Sequence, residues 1–545
     1  MKETKGFLSR VNMRTFLVPA ILMLIAACVG IFAPETLGNG ASAALNFTID
    51  EFGWFYVLGS TFLLIMSIAV CFTKFGEVKL GGKDAKPEFS RLTWFSITLT
   101  SVIAIGIVFY GVAEPMTNFN APAAFLGLKG GSAAAAEAAL PYTLLHWGLH
   151  PYGIYTGTGL CLAFMYWNAK RRFAVSSALY PILGDRVDGK AGDWINAVTI
   201  FCVIGGVATG FGLGTMQFTS GLGYITGKNF GNNLMYLIVI AAFATTYILS
   251  ACTGLHKGIA LVSNINTGVY VIMLVFFFFA GGPKFILNIA VSTIGQYIDI
   301  LPVQSFYLEP AIQSGWVGGN TVFYLAWWLA FAPIMALFLI RLAKGRTIRE
   351  FIVMNLFAPV LFALIWFSIF GGSAIRQQLL GNMAIWETIQ DQGIQVALFA
   401  FFKQYPFAGI ISVLGLIAIA LSFITNAEAN VLTVAEMTAL PDEADKGDVQ
   451  EASPHWVKVF WGTLMAAVAF ALMQSGGLSA LQTSVIVCAL PILVLTIFMV
   501  YAFLKTIPNY EKYDRTKTEE ERTIEDSKDF DLTAQMAGER EKQNA

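Results

Sequence analysis

Long apolar runs alternate along this chain with short polar or charged gaps. A bilayer core takes about 20 apolar residues to cross as a helix. Twelve windows have that character, near 15–33, 53–73, 92–112, 140–167, 194–222, 233–252, 258–281, 318–340, 351–371, 407–437, 459–475 and 481–504. They are called spans one to twelve below. Lys and Arg next to span ends favour the cytoplasm. With the N-terminus inside, the gaps after odd-numbered spans should be poor in them. Those gaps hold only Lys129, Lys228, Lys284, Arg376 and Lys403, against the other 29 of the 34 Lys and Arg residues. The pattern predicts an all-α polytopic membrane protein with twelve transmembrane helices and both termini cytoplasmic.

Composition agrees, with 56% hydrophobic and 13% charged residues against the roughly 25% charged of soluble chains. A net charge of −1 argues against nucleic acid as a partner. The six cysteines all fall in apolar runs, without the spacing of a metal site or disulfide frame, and read as small core residues. The basic arm 1–14 precedes an apolar run without an A-x-A-like cleavage site, so that run is expected to be a retained helix. The chain divides into this arm, a membrane domain over 15–505 and a charged tail over 506–545.

Three further pieces lie outside the spans. Segment 283–316 repeats apolar residues at three- and four-residue spacing and is expected to form an interfacial amphipathic helix. The gap 439–453 is acidic and reads as a solvated loop. The tail is poor in large apolar residues and reads as disordered or as a free helix.

The most informative stretch is Val317–Arg349, where Trp327 and Trp328 stand together inside span eight with Pro333 close behind. Tryptophan usually sits at the membrane interface. A mid-span pair points inward, either filling a helix contact or lining an aromatic site for a cation. Span four adds Trp147, Tyr152 and Tyr155. Positions 152 and 155 share a helix face, and Pro151 is expected to loosen the helix between them and Trp147. With Trp328 these make four rings for one pocket, or else an interfacial aromatic belt. His146 and His150 stand at i, i+4, but no third ligand is in reach, so no metal site is expected.

Gly206, Gly210 and Gly214 give span five a small-residue stripe suited to close helix packing, and Thr209 beside it offers a hydroxyl. Span ten carries Thr425, Asn426 and Glu428 deep in an apolar window, where they need polar partners or bind a small hard cation. Span three has no acid before Glu114. Spans three and eight are the irregular ones and lie five apart, the offset of two inverted five-helix repeats that place substrate and ions at interrupted helices. No acid–nucleophile–base set lies at usable spacing, so no enzyme is expected.

The stretches FGWFYVL (52–58), KFGEVKLGGKDAKPEFS (74–90), FYGVAEP (109–115), HWGLHPYGIY (146–155), GVATGFGLGTMQ (206–217), LVSNINTG (261–268), FYLAWWLAFAP (323–333), RTIREF (346–351) and ITNAEAN (424–430) together resemble the betaine–choline–carnitine transporter family. The resemblance covers about Thr15 to Lys505. It implies a LeuT-type repeat of spans three to seven and eight to twelve after two extra helices, usually in a homotrimer. It also implies an aromatic box at Trp147, Tyr152, Tyr155 and Trp328, with Trp327, Phe331 and Ala104 as neighbours. Family members more often have tryptophan at 152. Their G-x-G-x-G segment reads Val102–Ile103–Ala104–Ile105–Gly106 here, their tryptophan-rich span eight has Leu325 and Phe331, and their Thr-Ser-Ala-Asp reads Thr425–Asn426–Ala427–Glu428.

The implied function is secondary transport that imports a betaine-like zwitterion or quaternary ammonium compound across the bacterial inner membrane. Sodium is the expected coupling ion, near Thr425, Asn426, Ile103, Thr209 and Phe109, and no cofactor is expected. Proton-driven members carry an aspartate in span three and sodium-independent exchangers an arginine in span seven; both are missing here. Two alternatives stay open: a sodium-independent exchanger or proton-coupled permease for another zwitterion or amino acid, and a non-transporting membrane sensor.

Overall fold

The computed structural model describes residues 10–253, 255–440 and 453–517, with the side chains of 103, 104 and 255–260 outside the description. The acidic gap and the tail beyond 517 therefore lie largely outside the described residues, as do the side chains of Ile103 and Ala104. Among the described residues the fold is helical, with two isolated β-bridges, Val11 to Ala439 and Lys79 to Thr347.

Each expected span is present as a helix or a pair of helices. Among the described residues eleven helices are long and apolar enough to cross a membrane, and the bent helix pair of span three makes twelve. That set differs from the predicted one at two places. Pro283–Gln304, expected at the interface, is 22 residues long and qualifies as a span by length and composition. It packs through Ile286, Ile289, Thr293 and Tyr297, and its exposed side mixes Leu287, Val291, Ile294 and Ile298 with Lys284, Asn288, Ser292 and Asp299. Span four instead divides into Ala133–Trp147 and Leu149–Trp167, each too short or too polar to qualify.

The break in span four falls at Gly148 and not at Pro151. Gly148 has φ −103° and ψ −127°. Pro151 sits in the first turn of the second half, where a missing N–H costs no helical bond. The freed Leu149 N–H donates to the Tyr297 hydroxyl at 2.9 Å. A Cβ on Gly148 would stand 2.6 Å from that hydroxyl, so the close approach requires glycine.

Spans three and eight are irregular in different ways. Span three bends by 66° between Arg91–Val102 and Ile105–Asn120, across a wide π-helical turn over Leu99–Ile103. Span eight carries its π-turn at the start, Val317–Val322, and then runs unbroken through both tryptophans and Pro333 to Leu342. That second helix is buried along its whole length.

Two of the stretches that carry the family resemblance are one structural unit. Leu80 N–H donates to Arg346 O, Gly345 N–H to Leu80 O and Ile348 N–H to Val78 O, at 2.9–3.0 Å. Thr347 and Glu350 form a reciprocal capping box that starts span nine. Asn168, at the end of span four, joins this unit to the chain's C-terminal part. Its amide donates to Lys79 O and to the Asp514 carboxylate, both at 3.2 Å, and its carbonyl accepts from Arg515 N–H at 2.8 Å.

Candidate substrate and ion site

The cavity at the bend of span three is lined by Val102, Ile105 and Gly106 from that span, Trp147 and Tyr155 from span four, Gly210 from span five, Trp327, Trp328 and Phe331 from span eight, and Asn426 from span ten. It leaves about 30 Å³ for the centres of water-sized molecules. One water needs roughly 10–15 Å³ on that measure, so about two fit.

Trp328 is the hub of the rings. Its centroid is 5.5 Å from Trp147, 5.5 Å from Tyr152 and 4.9 Å from Tyr155, each in edge-to-face geometry. The Trp328 indole N–H donates to the His146 carbonyl at 3.2 Å, tying span eight to the end of the broken helix. Trp327 stands edge-on to Trp147 at 6.2 Å and stacks on Phe323 at 5.9 Å. Tyr152 is buried behind Trp328 and lies outside the cavity lining, and its hydroxyl makes no hydrogen bond. The four rings are gathered although the break at Gly148 separates Trp147 from the two tyrosines. Span eight, and not a shared helix face, aligns them.

Small residues let the rings approach. A Cβ on Gly106 would lie 2.5 Å from Trp147 Cη2 and 2.8 Å from Cζ3. A Cβ on Gly206 would stand 3.0 Å from Ala330 Cβ, and one on Gly214 2.6 Å from Phe423 Cδ2. The glycine stripe thus packs span five against spans eight and ten, as expected from its spacing.

The residues expected at the ion site divide. Asn426 Nδ2 donates to the Ser101 carbonyl at 2.6 Å, and Asn426 Oδ1 accepts from Asn430 Nδ2 at 3.0 Å. The Thr425 hydroxyl lies 3.1 Å from the Thr100 carbonyl and 2.9 Å from its own helix's Leu421 carbonyl. Ser101 Oγ and Asn430 Oδ1 are buried without a hydrogen-bond partner. Thr209 is elsewhere: its hydroxyl donates to the Leu481 carbonyl at 2.6 Å and so faces span twelve. Phe109 is buried and packs on Tyr110 at 4.8 Å.

One cluster beside the cavity was not legible beforehand. The Glu114 carboxylate takes the Trp147 indole N–H at 2.5 Å on Oε2 and faces His146 Nδ1 at 2.6 Å on Oε1. His146 Nε2 is 3.0 Å from the Thr321 hydroxyl in the π-turn of span eight, and Tyr324 stacks on the imidazole at 4.6 Å. The available signal was an acid near the end of an apolar span, which is costly unless it has work or partners.

The profile described as the betaine/carnitine/choline family transporter matches residues 14–512. The chain belongs to that family. It is therefore a multi-pass membrane transporter and not an enzyme. Among its relatives, the glycine betaine transporter OpuD of Bacillus subtilis is 34% identical over 494 residues, 89% of this chain and 93% of that protein. The ectoine/hydroxyectoine transporter of Virgibacillus pantothenticus is 33% identical, over 92% of this chain and 98% of its own. The osmo-independent choline transporter BetT1 of Acinetobacter baylyi is 31% identical, over 91% and 94%. These family members are transporters, and none supports the reading as a sensor.

Proposed function

We propose that this chain is a secondary active transporter of the bacterial inner membrane. It imports a betaine-like zwitterion or quaternary ammonium compound by sodium symport with alternating access. Its termini are cytoplasmic, and it is built on a LeuT-type inverted repeat and assembles as a homotrimer. The observation that carries the substrate class is the set of rings around Trp328 at the bend of span three. A quaternary ammonium group cannot donate a hydrogen bond, so aromatic faces are the chemistry left to hold it, at about 0.5–2 kcal/mol per contact. Relatives named for glycine betaine, choline and ectoine support the class. Val102, in the stretch where the family resemblance implies glycine, lines the cavity and favours a compact ligand.

Sodium is supported by the oxygens gathered between spans three and ten. The Thr425 hydroxyl can donate to Thr100 O or to Leu421 O, and the unpartnered Ser101 Oγ and Asn430 Oδ1 add further buried oxygens between the same two spans. A second reading, a sodium-independent exchanger or permease, is favoured by one contact: the Asn426 amide already supplies a donor to Ser101 O.

The test is a thermal-shift screen of glycine betaine, choline, carnitine, ectoine and dimethylsulfoniopropionate, with and without sodium, followed by uptake into proteoliposomes. Stabilisation and accumulation of one of these in sodium alone support the proposal. Accumulation undiminished when an inert cation replaces sodium sinks the symport and leaves the substrate class standing.

A further inference from the structure

The Glu114 carboxylate is 5% exposed and His146 is 1% exposed. Among the described residues neither Lys nor Arg pairs with this acid. A carboxylate buried in a membrane protein is costly unless its oxygens are bound. Here one oxygen takes the Trp147 N–H and the other meets His146 Nδ1. With a proton on Nδ1 the imidazole donates to Glu114, and its Nε2 meets the Thr321 hydroxyl. That arrangement leaves the negative charge on the carboxylate, directly behind a ring whose far edge lies on Gly106 at the cavity wall.

Hydrogen bonds in a dry interior polarise their partners. An indole that donates to a carboxylate becomes more electron-rich, and the attraction of an aromatic face for a cation rises with its electron density. We infer that Glu114 is a specificity-determining residue: through the Trp147 N–H it enriches the ring that faces the ligand and so favours a cationic headgroup over a neutral one of the same shape. The inference rests on the reading of the cavity as the substrate site.

The measurement compares glycine betaine with 3,3-dimethylbutanoate, in which carbon replaces the quaternary nitrogen. Both compete with labelled substrate for full-length protein in proteoliposomes. The wild-type protein prefers glycine betaine. Glu114→Gln keeps an acceptor but removes the charge, and it should reduce that preference about three- to tenfold, in keeping with the size of a partly dry cation–π contact. Trp147→Phe keeps a ring but has no N–H to donate, and serves independently if Glu114→Gln does not fold. The double variant should lose little more than either single one, because both cut the same link. An unchanged preference in both single variants, with the two affinities falling together, overturns the inference and leaves the site standing. A wild-type protein without any preference overturns both.

Discussion

The far edge of the Trp147 indole lies against the backbone of Gly106, where a Cβ would stand 2.5 Å from Cη2. Of the three glycines that the family resemblance implies in this part of span three, this chain has Gly106, and this contact requires it. Gly106→Ala must push Trp147 out of the box. Overpacking of this kind costs about 1–3 kcal/mol, and uptake should fall by more than about tenfold. Gly268→Ala is the control, since a Cβ there meets nothing within 4 Å and alanine is the better helix former. Uptake assays on both variants, with melting temperatures, check the contrast.

Trp328 touches all three other rings, so its loss should cost more than the loss of any one of them. Trp328→Leu is expected to abolish uptake while expression and folding are retained. Trp328→Phe keeps a ring but loses the hydrogen bond to His146 O, and it should weaken apparent affinity by about tenfold or less. Unchanged affinity in the leucine variant would remove Trp328 from the site.

Asn426 and Asn430 give a sharper view of the coupling ion. If sodium binds where Asn426 now donates to Ser101 O, the amide must turn to present its oxygen. Asn426→Asp, which offers oxygen on both sides, should then retain sodium dependence and shift its half-saturation to lower sodium. If the amide donor itself holds the two spans together, the same change should abolish uptake at every sodium concentration. A sodium titration of uptake decides.

At the basic end of span eight, Arg341 Nη1 lies 2.6 Å from both carboxylate oxygens of Glu436 on span ten, with exposures of 7% and 8%. Removing one partner of a buried pair costs roughly 3–5 kcal/mol, whereas apolar replacement of both is often close to neutral. Glu436→Leu should therefore melt well below wild type, and Arg341→Met combined with Glu436→Leu should recover most of the loss. Thermal unfolding in detergent measures both.

Residues 518–545 hold nine acidic side chains against four basic ones, a balance that gives little attraction to an anionic membrane surface. Deleting residues 518–545 should leave uptake, and its weak response to osmolality, unchanged. A several-fold rise of wild-type uptake with external osmolality would contradict this.

The spans were readable because each needs its own 20-odd apolar residues, a local property. The ring set was readable from residue type, since tryptophan and tyrosine inside apolar runs have few other uses. The break at Gly148 was misplaced onto Pro151, because a proline announces itself and a glycine held open by Tyr297, 149 residues away, does not. On Pro283–Gln304 the three- and four-residue spacing marked the packed side, Ile286, Ile289, Thr293 and Tyr297, while the opposite side carries Lys284, Asn288, Ser292 and Asp299 among its aliphatics. The Glu114 cluster depends on partners 32, 33 and, at Thr321, 175 residues distant from the residue each one meets. Long-range pairing of that sort leaves no periodicity to read. Thr209 was placed with the ion ligands by its neighbours in sequence, while its hydroxyl turns to span twelve.

The chamber between the rings, with room for about two waters, is smaller than any ligand proposed for it. A trimethylammonium group alone displaces more than the two waters that fit, so the walls must part before any ring can close on cargo. Measured affinity then reports a difference between ring contacts and the work of expansion, and is weaker than the bare contacts would provide. A bulkier headgroup therefore meets more ring surface but must also part the walls further.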